Sequence, residues 1–140
     1  MRVNIVFDSK YGNGKKIAEY LDNSFENNNV KVFFVKDADP DYIRTADLYI
    51  FSTPTHMGKA TRKMRKFVKN LQVDGEAQKY GLITTYTKDK TDSLVELERM
   101  LKGKGLKKAT ENLKLKIRGK KGPLEDGYQK KLDQFLDNLT

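Results

Sequence analysis

Three stretches of this sequence carry residue types at spacings that could hold a ligand. The first is Asp8-Ser9-Lys10-Tyr11-Gly12-Asn13-Gly14-Lys15-Lys16. It follows an apolar run, Val3, Ile5, Val6 and Phe7, and precedes Ile17, Ala18, Leu21 and Phe25 at helical spacing. A loop from strand to helix gathers amide N–H groups at the positive helix end, which suits an anion. Gly12 and Gly14 allow close backbone approach, and Ser9 adds a hydroxyl donor. Lys15 and Lys16 fall in the first helical turn, where the dipole disfavours a cation and a bound phosphate would offset it. Neither GxxxxGK[ST] nor GxGxxG is present, so the chemistry is that of one phosphate on a short loop. The alternative is an ordinary strand-to-helix turn whose glycines serve geometry alone.

The second stretch, Ser52-Thr53-Pro54-Thr55-His56-Met57-Gly58-Lys59, offers polar donors, a rigid Pro and a Gly. Such a loop can wrap one side of a flat ring, with His56 or Met57 toward it; equally, His56 is an exposed loop histidine. The third, Thr84-Thr85-Tyr86-Thr87-Lys88-Asp89, ends a strand with Tyr86 placed to stack on an aromatic ligand, or to pack beneath its own loop. With no Trp in the chain, Tyr86 and Tyr11 are the main stacking candidates.

Composition removes several alternatives. The absence of Cys excludes disulfides, thiol redox chemistry, iron–sulfur clusters and Cys-ligated zinc. The single His56 excludes a multi-His metal site, and without a GxSxG elbow it belongs to no triad. No catalytic residue and no metal ligand is assigned, and any redox role needs a bound cofactor. Met1-Arg2-Val3-Asn4-Ile5 lacks the features of a signal peptide, and no apolar stretch approaches a membrane span, so the cytoplasm is the expected location.

The elements that must position these loops follow from periodicity. Strands are expected at 3–7, 30–35, 48–51, 80–86 and 113–117. Helices are marked by Ile17 to Phe25, Met64 to Leu71, Leu94 to Leu101 and Tyr128 to Leu139. Asn27-Asn28-Asn29 ends the first helix, while Asp92 and Gly103 are the expected cap and stop of the third. Strands alternating with helices imply right-handed crossovers and a parallel sheet covered on both faces. The first four strands are near-continuous apolar runs, as doubly covered strands require. Leu113, Leu115 and Ile117 alternate with Lys114, Lys116 and Arg118, the pattern of a sheet edge with one wet face. The expectation is one α/β domain over 1–140, a three-layer αβα sandwich. In open sheets of this class ligands bind beyond the C-terminal strand ends, where all three loops fall.

The net charge of +9 is uneven. Residues 1–56 carry 7 Lys/Arg and 8 Asp/Glu, and residues 57–140 carry 21 and 11. Such asymmetry points to a basic face, with Arg62, Lys63, Arg65, Lys66 and Lys69 on one helix, and to an acidic partner: nucleic acid, anionic lipid or an acidic protein. No nucleic-acid-binding motif accompanies that helix and no aromatics are interleaved with it, which favours an acidic protein over nucleic acid. The bland alternative is a Lys-rich solvated surface.

The three loops together resemble the flavodoxin family. SKYGNGKKIAEYL resembles its S-x-T-G-N-T or S-x-Y/F-G-N-T phosphate loop, and STPTHMGKATRKMRKFV its second flavin loop. LVELERMLKGKGLKKATENLKLKIRGKKGPLEDG is similar to members with a short fifth strand, so the resemblance spans the chain. It implies a five-stranded parallel sheet of order 2-1-3-4-5 and non-covalently bound FMN. Ser9, Lys10, Tyr11, Gly12, Asn13, Gly14 and Lys15 would hold the phosphate. Thr53, Pro54, Thr55, His56, Met57 and Gly58, with Thr84, Thr85, Tyr86 and Thr87, would flank the ring. The implied role is electron transfer between redox partner proteins, or reduction of a small acceptor, by a monomer or weak homodimer. Tyr11 and Gly14 stand where the family has hydroxyls, and Asp8 sets a negative charge beside the anion site. Those departures motivate the alternative, a flavin-free binding module that docks an acidic partner through its basic face.

Overall fold

The computed structural model describes residues 1–26, 29–74, 77–88 and 92–139. In chain order the elements are β1 (Val3–Phe7), α1 (Asn13–Ser24), β2 (Val30–Phe34), β3 (Leu48–His56), β4 (Lys59–Ala60) and α2 (Arg62–Asn70). They continue with β5 (Lys79–Tyr86), α3 (Val95–Gly103), β6 (Lys107–Lys108), β7 (Leu113–Lys116) and α4 (Tyr128–Asp137).

The sheet runs β2-β1-β3-β5-β6, with β7 also on β5 and β4 on β3. All pairings are parallel except the antiparallel return of β4 along β3. This is the expected α/β order, with seven strands among the described residues in place of five. Two differences account for the count. The fifth strand is split: β6 meets β5 at Lys79 and Tyr80, and β7 meets it from Ile83 to Tyr86. The third strand runs on past Phe51 to His56, because Thr55 and His56 pair with Ala60 and Lys59 across a tight turn. Met57 and Gly58 make that turn with φ of 52° and 78°, the two positive values of a type I′ hairpin.

The strands' alternating side chains fill two cores. Val6, Tyr49, Phe51 and Leu82 pack with Met64, Phe67 and Val68 of α2 and Leu97 and Leu101 of α3. Ile5, Phe7, Ile50 and Ile83 pack on the other face with Ile17 and Leu21 of α1 and Leu132 and Phe135 of α4. That is the three-layer sandwich. Burial follows sheet position: β1 is buried throughout, whereas β2, on the outer edge, exposes Lys31 and Val32. The expectation of a doubly covered second strand is therefore corrected: among the described residues it is the sheet's outer strand, and its faces are only partly covered. β7 lies at the opposite edge, as its alternation indicates, and Ile117 leaves it to bridge Leu124.

Helix ends differ in detail. Asp92 does not cap α3 from the residue before it; its Oδ1 accepts the Leu94 N–H at 3.1 Å, just ahead of the first turn. Gly103 is the last helical residue, and the left-handed position after α3 is Gly105, with φ of 92°. α1 ends at Ser24, and Asn27 and Asn28 lie outside the described residues.

Candidate functional site

At the C-terminal ends of β1, β3 and β5 a cleft of about 960 Å³ opens, where ligands bind in sheets of this order. Its first wall is the loop from β1 to α1. Asp8, at the end of β1, is buried, and its Oδ1 accepts the Ser9 N–H at 2.9 Å. Ser9 Oγ in turn accepts the Gly12 N–H at 3.1 Å, which leaves its own proton to donate. Gly12 has φ of 98°, a left-handed turn that brings the chain into α1. α1 starts with no side-chain cap and no acidic residue in its first turn. Its leading N–H groups are thus available to an anion. Gly14 has a separate reason: a Cβ there would sit 2.3 Å from the Asp8 carbonyl oxygen.

The structure brings Ser9, Lys10, Tyr11, Asn13 and Gly14 to the cleft wall, while Gly12 and Lys15 stay off it. Lys15 points along α1, 4.0 Å from Glu19. From the second loop, Pro54, Thr55, His56 and Met57 line the cleft. Thr53 is buried beneath, its Oγ1 accepting the Thr61 N–H at 3.2 Å, and Gly58 completes the hairpin turn. From the third loop Thr85 and Thr87 line it. Thr84 is buried, donating to the Thr53 carbonyl at 2.8 Å and sharing a 2.7 Å bond with Thr55 Oγ1. Tyr86 is half-buried and off the wall, so Tyr11, 38% exposed, is the aromatic of the two that faces the cleft. Asp89 lies outside the described residues.

Sequence reasoning missed a fourth wall. Ile117, Arg118, Gly119 and Lys120, following β7, line the cleft. Asn13 holds this segment to the first loop: its Nδ2 donates to the Lys121 carbonyl at 3.3 Å. A Cβ on Gly122 would come within 2.7 Å of the Asn13 amide oxygen, so the two loops touch where a side chain would part them. Lys10 and Lys121 lie 5.4 and 5.9 Å from the Tyr11 ring centroid, one from each loop. Glu125 anchors the segment's return, accepting the Lys116 N–H at 3.0 Å and bonding the Lys131 ammonium. The Lys131 bond, against the cost of desolvation, holds the Glu125 carboxyl below its ordinary range. The signal was present: the rule that ligands sit beyond strand ends applies to the fifth strand too.

Phe34, at the end of β2, is also on the wall; its ring stacks on Phe7 at 4.9 Å. Thr61, Arg62 and Lys63 enter from the start of α2. Thr61 caps that helix, accepting the Met64 N–H at 3.2 Å, and its hydroxyl donates to Asp8. Arg65 does not belong with the free basic face: it donates to the Ala60 carbonyl at 3.1 Å and pairs with Glu96 at 3.7 Å.

Among the described residues no group of acidic, His or Cys side chains could hold a metal, and no helix is long and apolar enough to cross a membrane. The donor set suits a phosphate joined to a flat ring: uncapped amides and hydroxyls at one end, Pro54, Met57 and Phe34 as apolar surface elsewhere.

A model described as the flavodoxin domain matches residues 4–121. No curated protein sequence matches the chain. Among solved structures, a Streptococcus pneumoniae TIGR4 flavodoxin is 23% identical, with a TM-score of 0.77 over 99% of this chain and 97% of that one. Rubredoxin oxygen:oxidoreductase from Desulfovibrio gigas is 19% identical, with a TM-score of 0.79 over 99% of this chain but 35% of its own. A Fusobacterium nucleatum flavodoxin bound to flavin mononucleotide is 16% identical, with a TM-score of 0.70 over 97% and 95%. At these identities the structures testify to the fold, and the family model adds the sequence: the chain belongs to the flavodoxin-domain family.

Proposed function

We propose that this chain binds FMN in the cleft and carries electrons between partner proteins, or to a small acceptor. The observation that carries the reading is the uncapped start of α1 behind Gly12, opening into the same cleft as Pro54–Met57 and Thr85. The leading amides of α1 and the Ser9 hydroxyl would hold the phosphate, with Asn13 fixing the loop against Lys121. Pro54, Thr55, His56, Met57 and Thr85 would bound the ring. The flavin, when bound, supplies the one- and two-electron chemistry, and the protein supplies orientation and electrostatics. The excess of cations in residues 57–140 supports a partner with an acidic docking surface.

The test is a visible absorption spectrum of the purified chain with and without added FMN, followed through a desalting column. Co-eluting yellow chromophore is expected. A chain that stays colourless would sink the proposal in favour of a flavin-free binding module. One observation favours that second reading: the buried Asp8 carboxylate stands at the foot of the phosphate loop.

A further inference from the structure

We infer that the mouth of the cleft is the docking surface for an acidic protein, centred on Met57. For electron exchange this rests on the cleft holding the flavin; the surface itself stands on its own geometry. Met57 is 90% exposed at the tip of the β3–β4 turn, with φ of 52°. The turn sets its backbone, but the fold leaves most of this large apolar side chain uncovered at the cleft wall, open to a partner as well as to a ligand.

Around it, separate segments bring cations to the cleft: Lys10 after β1, Lys36 after β2, Arg62 and Lys63 on α2, Lys88 after β5 and Lys120 after β7. None of these six has a carboxylate partner among the described residues, whereas Arg65, Lys102, Lys108 and Lys131 each do. Asp8 is the carboxylate on the wall among those residues, and it is buried and bonded to Thr61 and Ser9. Among the described residues the cleft therefore has a cationic rim without a carboxylate partner.

An exposed apolar centre within a charged rim is the anatomy of a protein interface. A small anion needs donors that converge on one point, which the start of α1 already offers. Cations spread over five segments instead match an extended acidic surface, which would also be steered to the cleft.

The experiment uses the full chain without added flavin and dye-labelled poly-L-glutamate as probe, read by fluorescence anisotropy. Lys88→Glu with Lys120→Glu is compared with Lys79→Glu and Lys130→Glu, which change the net charge equally away from the cleft. Binding about tenfold weaker in the rim variant, with little change in the control, is expected at low salt. Amide NMR shifts in the unaltered chain should cluster at Met57, Lys88 and Lys120. Equal weakening in both variants, or shifts scattered over the basic surface, would overturn the inference. So would labelled single-stranded DNA binding tighter than poly-L-glutamate with the same rim dependence, or pyrophosphate alone producing the rim shifts. A colourless chain that still binds poly-L-glutamate at the rim would retire the flavin proposal and keep this one.

Discussion

The Thr61 hydroxyl donates to the Asp8 carboxylate, joining positions fifty-three residues apart at the foot of the cleft. The same oxygen accepts the Met64 N–H at 3.2 Å. One side chain therefore both starts α2 and solvates a buried charge. Thr61→Val should cost about 1–3 kcal/mol, since it strips a cap and leaves a buried acceptor short of a donor. Thr61→Ser should restore most of it. Urea unfolding of both variants checks this, and a Val variant as stable as the parent would refute it.

Gly14 and Gly103 should respond oppositely to alanine. Gly14→Ala drives a Cβ to 2.3 Å from the Asp8 carbonyl oxygen, a contact of backbone with backbone. A loss of about 1–3 kcal/mol is expected, together with weakened FMN retention as the loop shifts. A Cβ on Gly103 meets nothing within 4 Å, and the residue is helical. Gly103→Ala should therefore stabilise by about 0.5–1 kcal/mol. Thermal melts of the pair give the contrast directly.

Glu125 should make the fourth wall acid-sensitive. Its folded pKa is held below the ordinary value of 4.5, first by the Lys131 bond. Stabilisation from a depressed carboxylate is fully present above the unfolded pKa and is lost as pH falls through the folded one. Glu125→Gln should be less stable than the parent at neutral pH. The gap should close once both pKa values are passed, because the parent is then protonated as well. Urea titrations at about pH 7 and about pH 3 would show it; a gap independent of pH would contradict the assignment.

The rim cations should also bias the redox balance. A positive charge about 7 Å from a reduced, anionic flavin stabilises it by roughly 2 kcal/mol at an effective dielectric of about 20, before salt screening. FMN on this chain should thus reach full reduction at a less negative potential than on an acidic flavodoxin. Lys36→Gln with Lys88→Gln should lower that potential, and redox titration at low salt reads the shift.

The layout of the fold was legible because periodicity and burial share a cause. Ile5 and Ile50 sit on inner strands and read as unbroken apolar runs, and Leu115 alternates with lysines at an edge. The second strand misled because Val30, Val32, Phe33 and Phe34 make an apolar run on an edge. Its residues are only partly covered, and Val32 is 38% exposed. Of the cleft, the loops flanked by periodic elements could be placed from sequence. Which hydroxyl faced inward could not: Thr84 and Thr85 differ only by the pleat, and Thr84 is spent on Thr53 and Thr55. Arg118 to Lys120 were obscured because a lysine-rich turn looks the same whether it lines a cleft or faces water. Arg65 was grouped with its helical neighbours, and only its bond to Ala60 and its pair with Glu96 set it apart.

The Asn13–Lys121 contact spans 108 residues of sequence. Closing so long a loop brings no reward until both ends exist. During synthesis the first three strands can pair while later residues are still being made, yet the loop between β1 and α1 gains its outer wall only after Lys121 and Gly122 have emerged. The first stretch of the cleft to be translated is thus among the last to be finished, which ties a closed cleft wall to completion of the fifth strand.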